Sequence, residues 1–206
     1  GEPDGLIAIG GDRSIDRLLL AYFNGIFPWY SFRDTPILWY CPLQRFVIYP
    51  EEIHISHSMK SFIQNRSYEV SFNNDFEGVI KNCSQLRIKD EGAWLGEDMI
   101  KAYTRLHEQN FATSVEVWNE EGKLVGGLYG VTVSNVFCGE SMFSLEPNTS
   151  KLALIHLAQI LKKTGNAIID CQMETPHLKS MGGRFIPYKE YMKYLLNQGC
   201  DHELLL

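Results

Sequence analysis

The sequence of 206 residues contains no apolar run of the ~18 residues needed to cross a bilayer. It also shows no basic segment leading into an apolar stretch of the kind that directs secretion. The chain opens at Gly1 without Met, so a preceding natural start is expected. An excess of positive charge is missing too: 19 Lys and Arg stand against 25 Asp and Glu, a formal charge of −6. This argues against a protein that coats nucleic acid non-specifically, but leaves room for a local basic groove. Cys41, Cys83, Cys138, Cys171 and Cys200 are widely spaced and form no Cys-x-x-Cys. Neither a disulfide framework nor a zinc site is suggested, and a reducing cytoplasm fits. Internal repeats and low-complexity tracts are absent as well.

What is present is a 45% hydrophobic chain long enough to bury a full core, as one domain or a large one with a small companion. An apolar run from Gly5 closes at Gly10-Gly11, whose spacing fits a turn and matches neither phosphate-loop pattern. Ser14 then caps a helix that ends at Gly25. Residues 26–50 are rich in aromatics and prolines, which suggests a small lobe of short strands and turns. His54 and His57 have no carboxylate or Cys at ligand spacing, so no metal is expected there. Helices are expected over 58–64, 75–83, 97–108 and 188–197, and strands over 68–72, 114–118, 124–133 and 136–143, the last three as an antiparallel meander. Ser150 is expected to cap a helix running to about Lys163, followed by a buried strand at Ala167 to Ile169.

This strand-helix-strand unit carries the chemistry. Its first strand holds Glu140 beside Gly139 and among apolar residues, where an unpaired charge is costly. Its second strand ends Asp170-Cys171-Gln172, and the two-residue repeat of a strand places Asp170 and Gln172 on one face. Such polar groups can converge on one small volume as a reaction centre, or form a satisfied polar core. Trp29 and Trp94 stand in loop-like contexts, where an aromatic either plugs a core or offers a stacking surface, whereas Trp39 and Trp118 lie in strand-like runs that favour packing.

Several stretches resemble the leucyl/phenylalanyl-tRNA-protein transferase family, in the same order over nearly the whole chain. They are the run from Glu2 to Asp12, Gly25-Ile26-Phe27-Pro28-Trp29-Tyr30, Ile37-Leu38-Trp39, Phe137 to Ser144, and Ile169-Asp170-Cys171-Gln172. Tyr40 departs from the pattern, because some members show a second Trp there. The resemblance implies an α+β fold: a small N-terminal lobe (1–46) and a larger N-acetyltransferase-like domain (47–206) with a mostly antiparallel sheet flanked by helices. It implies a monomer that moves Leu, also Phe and less efficiently Met, from aminoacyl-tRNA to proteins with N-terminal Arg or Lys, marking them for degradation.

By that resemblance Asp170 polarises Gln172, which engages the incoming amine, and Glu140 holds the donor's α-amino group. Trp29 and Trp94 would hold the 3′ adenosine. Phe137, Gly139, Met142, Leu154, Leu157 and Ile169 would line the socket for the amino-acid side chain. An aminoacyl ester is already activated, so no cofactor or metal is expected. For the acceptor stem the basic candidates are Lys60, Arg66, Arg87, Lys89, Lys101 and Arg105. A coenzyme-A-dependent N-acetyltransferase is the alternative on the same fold, but the glycine-rich pyrophosphate loop it needs is missing from Leu145 to Ser150. A non-catalytic RNA-binding module is a third reading, disfavoured by the acidic charge.

Overall fold

The computed structural model describes residues 5–29, 36–65, 67–90 and 96–196, without the side chains of 87–90. Strands β1 (Leu6–Ile9), β2 (Phe27–Trp29) and β3 (Leu38–Tyr40) form a three-stranded antiparallel sheet in the order β1-β3-β2. Helix α1 (Ile15–Phe23) connects the first two of these, with Ser14 accepting the Arg17 N–H at its N-terminus as expected. Gly10 and Gly11 both have positive φ, which glycine tolerates, and Gly10 O receives the Trp39 indole N–H.

The larger sheet has seven strands in the order β10-β4-β9-β8-β7-β6-β5. These are β4 (Gln44–Ile48), β5 (Glu69–Phe72), β6 (Ala112–Trp118), β7 (Leu124–Val133), β8 (Val136–Ser144), β9 (Ile168–Gln172) and β10 (Arg184–Pro187). All neighbours pair antiparallel except β8 and β9, which run parallel through the crossover helix α5 (Thr149–Lys162). This is the α+β architecture expected, and the meander from β6 to β8 is in place. The aromatic-rich stretch 26–50 divides between the two sheets, because β4 joins the large one.

Alternation along the central strands buries both faces. Val47, Cys138 and Ile168 face a core shared with α1, α3 (Phe76–Asp90), α4 (Glu97–Glu108) and α7 (Tyr188–Leu196). Their chain neighbours Ile48, Phe137 and Ile169 face a second core built on α5 with Met59 of α2 (His57–Asn65). The first core also holds Tyr22, Phe27, Ile37 and Trp39, so the three-stranded sheet is welded to the larger one by continuous apolar packing. Among the described residues no helix is long and apolar enough to cross a membrane.

Two local expectations are corrected. Helix α5 is capped by Asn148 in the left-handed region and not by Ser150, whose N–H bonds the Ser144 hydroxyl. Thr149 turns inward to the Val125 and Glu146 carbonyls, and the helix starts two residues earlier than a Ser150 cap would set it. Helix α3 continues to Asp90, beyond Cys83. The short helix α6 (Pro176–Ser180) and the edge strand β10 carry too few periodic apolar positions for detection from sequence.

Glycines in β7 permit close backbone approach, as their number in one strand suggests. A Cβ on Gly130 would lie 2.6 Å from the Phe137 ring and collide with the Cys138 carbonyl oxygen, neither of which can yield cheaply. Gly130→Ala is therefore expected to cost about 1–3 kcal/mol or more, an overpacking loss readable as a lowered denaturation midpoint with unchanged m-value.

Candidate active site

Pairing of the parallel strands stops at Cys138↔Asp170, and beyond this point β8 and β9 part. Each carries an extra residue close to the opening. On β8 the register against β7 slips between Ser141 and Gly139, leaving Glu140 as the inserted residue. On β9 the register against β4 slips between Gln172 and Asp170, leaving Cys171 inserted. Bulges of this kind re-aim side chains, and here they turn Glu140 and Gln172 toward each other. Gln172 takes a φ of 65°, in the left-handed region, so the two-residue repeat that would set it beside Asp170 is broken.

A cavity of about 610 Å³ fills the gap between the strands. Glu140 and Gln172 are on its wall, together with Gly139, Phe137, Met142, Leu154, Ile169 and Trp29. Seven of the residues expected to hold or line a substrate pocket thus meet with Gln172 around one space. Leu157 does not border it; one turn beyond Leu154, it is fully buried in the α5 core. Asp170 is also absent from the wall, with no exposed surface. Trp94 lies outside the described residues, as do Arg66 and the side chains of Arg87 and Lys89. Leu86, Met173 and Leu178 add to the apolar lining and His177 brings an imidazole, none of them signalled by any sequence pattern.

The half-buried Glu140 carboxylate is held from several sides. Oε1 accepts the Tyr22 hydroxyl at 2.7 Å and the Gln172 Nε2 amide at 3.1 Å, while Oε2 accepts the Tyr103 hydroxyl at 2.9 Å. Burial and then the Glu140 charge push the Tyr22 phenol well above its ordinary range, so it stays protonated and donates. Tyr22 and Tyr103 carry positions that hydropathy counts as helix faces, which hides their hydroxyls from a sequence reading.

Beneath this pair lies a buried ion pair. Arg45 Nε sits 3.0 and 2.9 Å from the two Asp170 oxygens, and the two side chains are 1% and 0% exposed. Asp170 Oδ2 also accepts the Tyr191 hydroxyl at 2.9 Å, and Oδ1 accepts the Gln172 backbone N–H at 2.8 Å. Asp170 therefore reaches Gln172 through the main chain, whereas the Gln172 side-chain amide is bound to Glu140. Burial opposes the Arg45 charge, but Asp170, Tyr191 and Cys138 outweigh it and hold the guanidinium above its ordinary value. Burial, reinforced by Asp170, raises the thiols of Cys138 and Cys171, so neither is an activated nucleophile.

His177 adds a titrating group to the wall. Its Nε2 is buried without a hydrogen-bond partner, and burial, followed by the Lys151 ammonium, lowers its proton affinity below that of an ordinary histidine. A histidine that binds its proton less well folded than unfolded contributes stability above the unfolded value, and that contribution fades as pH falls through it. Denaturant titrations at about pH 7 and about pH 5 should show the wild type losing more stability on acidification than His177→Gln does. Equal losses in the two proteins would remove this role.

Solved structures resemble the chain only remotely. L-PGS from Bacillus licheniformis has 11% identity and a TM-score of 0.45, covering 75% of this chain and 49% of that one. A GNAT-family acetyltransferase from Staphylococcus aureus has 13% identity and a TM-score of 0.40, covering 48% of this chain and 69% of that one. Sequence relatives are much nearer. The leucyl/phenylalanyl-tRNA–protein transferase of Syntrophobacter fumaroxidans is 47% identical over 195 residues, 94% of this chain and 82% of its own. That of Flavobacterium psychrophilum is 48% identical over 193 residues, 93% of this chain and 90% of its own. The family described as leucyl/phenylalanyl-tRNA protein transferase matches residues 47–196, and the N-terminal domain of the same family matches 11–43. The chain belongs to the leucyl/phenylalanyl-tRNA protein transferase family.

Proposed function

We propose that the protein transfers Leu, also Phe and less efficiently Met, from the 3′ end of aminoacyl-tRNA to the N-terminal Arg or Lys of acceptor proteins, marking them for degradation. The observation that carries this reading is the Glu140–Gln172 pair projecting from two parted strands into an apolar cavity. It acts as a monomer in the cytoplasm, with a small lobe (1–46) and a larger domain (47–206) working on one site.

Glu140 holds the donor's α-ammonium by a charge-assisted hydrogen bond, its own orientation fixed by Tyr22 and Tyr103. The donor side chain enters the socket of Phe137, Met142, Leu154 and Ile169, where the flexible Met142 thioether adapts to branched or aromatic guests. Because the Gln172 NH₂ is engaged by Glu140, its carbonyl oxygen is left to accept a hydrogen bond from the incoming neutral amine. The amine nitrogen attacks the ester carbonyl carbon, the C–N bond forms, and the C–O bond to the ribose breaks. The proton given up by the amine ends on the departing 3′-oxygen. An amide is a feeble base, so orientation supplies most of the acceleration. Trp29, half-buried at the cavity edge and in edge contact with Tyr40 at 6.3 Å, offers the adenine a stacking face, and Trp94 is the proposed second face.

Incubation with labelled leucyl-tRNA and labelled acetyl coenzyme A, with an Arg-initiated peptide as acceptor, tests the function; label from acetyl coenzyme A alone would overturn it. Gln172→Ala should lower kcat by about 10²-fold, the lower end of the range for positioned proton transfer, and leave donor affinity nearly intact. A parallel loss of affinity and rate would contradict the assignment. Trp29→Ala should weaken binding of aminoacyl-adenosine by about 1–3 kcal/mol, measured by calorimetry on the folded variant.

For the tRNA stem, Lys60 on α2 and Lys101 and Arg105 on α4 are exposed and available, and Arg66, Arg87 and Lys89 are proposed with them. A few phosphate contacts predict a slope of log affinity against log salt of about −2 to −4. Transfer from intact leucyl-tRNA should be salt-sensitive and transfer from leucyl-adenosine nearly insensitive. Parallel salt curves for the two donors would remove the basic cluster from the interface.

A further inference from the structure

Asp170 lies too deep to meet a substrate. It does not border the cavity, and both oxygens are occupied, Oδ1 by the Gln172 N–H and Arg45 Nε, Oδ2 by Arg45 Nε and the Tyr191 hydroxyl. Gln172 does border the cavity, in a backbone conformation that L side chains seldom adopt. The bond from its N–H to Asp170 Oδ1 holds it there, at 2.8 Å. That bond has a fixed direction only if the carboxylate cannot turn about its own axis.

Arg45 provides that constraint. Its Nε straddles the two carboxylate oxygens, Nη2 is tied to the Gly25 carbonyl at 2.6 Å, and the guanidinium is wedged between the Phe27 ring at 4.7 Å and the Tyr191 ring at 4.5 Å. Planarity, donors held in fixed directions and ring stacking are properties of arginine that a lysine ammonium lacks.

We propose that Arg45 is a positioning residue for the transfer reaction. It fixes the plane of the Asp170 carboxylate, the carboxylate fixes the Gln172 backbone, and the backbone aims the Gln172 amide at Glu140 and the incoming amine. This rests on the reading of Gln172 as the group that meets the amine. The link runs through a main-chain N–H, so the Asp170 charge serves to match Arg45 while its oxygen serves to orient Gln172.

A double-mutant cycle between Arg45→Lys and Gln172→Ala tests the proposal, with kcat and KM measured on leucyl-adenosine and folding followed by thermal denaturation. Arg45→Lys keeps the charge and should lower kcat about ten- to a hundredfold, the cost of a misplaced reacting group, with KM for the donor little changed. In the Gln172→Ala background the same substitution should alter kcat by less than about twofold, because the group it positions is gone. Equal fold-losses in both backgrounds, or no loss of kcat in Arg45→Lys alone, overturn the proposal. If Gln172→Ala by itself leaves kcat unchanged, the reading of Gln172 fails, and that failure is visible before the cycle is closed. Should Arg45→Lys not fold, the charge-free pair Arg45→Met with Asp170→Asn keeps an oxygen acceptor for the Gln172 N–H and goes through the same cycle. Non-additivity with Gln172→Ala is again expected, and additive losses again overturn it.

Discussion

The Arg45–Asp170 ion pair is the constraint on which the site depends. Removing two charges from water is costly, and their attraction offsets that cost only with good geometry and with partners for the remaining lone pairs and protons. Here Tyr191, the Gly25 carbonyl and the Gln172 N–H supply partners, while Arg45 Nη1 is buried without one. Each belongs to a different part of the chain, so the pair joins the turn after α1, the strands β4 and β9, and helix α7. A pair broken on one side leaves an uncompensated buried charge, worth about 3–5 kcal/mol of stability. The interaction gives little net stability while intact, but it specifies one arrangement of its neighbours.

Above the ion pair, Glu140 serves as a second junction. Tyr22 reaches it from α1, Tyr103 from α4 and Gln172 from β9. The N-terminal elements therefore contribute directly to the site: Tyr22 orients Glu140, the Phe27 ring and the Gly25 carbonyl hold Arg45, and Trp29 forms part of the cavity wall. The small sheet is a wall of the same chamber as much as a lobe beside it.

Much of this was legible in the sequence, where the signal was local. The strand-helix-strand unit of β8, α5 and β9 follows from apolar periodicity, and α4 falls at Glu97–Glu108 as its amphipathic pattern dictates. Glu140 stood out as a charge among the apolar residues of a strand, and Gln172 as a polar residue at a strand end. Long-range partners did not show: Arg45 is one charge at the head of the apolar strand Phe46–Ile48, and nothing nearby says that its counter-ion lies 125 positions away. The bulges at Glu140 and Cys171 were also invisible, because register is a property of two strands together. The same limit explains Leu157, whose helical spacing from Leu154 suggests a shared face while the cavity floor stops short of it.

The separations in sequence have a consequence for biosynthesis. Arg45 lies 125 positions from Asp170 and 146 from Tyr191, so the clamp closes only after α7 has been made. Long-range strand pairing of this kind carries its loop-closure entropy before any contact rewards it, and it comes late in folding. A chain still emerging from the ribosome is surrounded by aminoacyl-tRNA. With α7 not yet delivered, the Asp170 carboxylate lacks the Tyr191 hydroxyl that completes its set of donors.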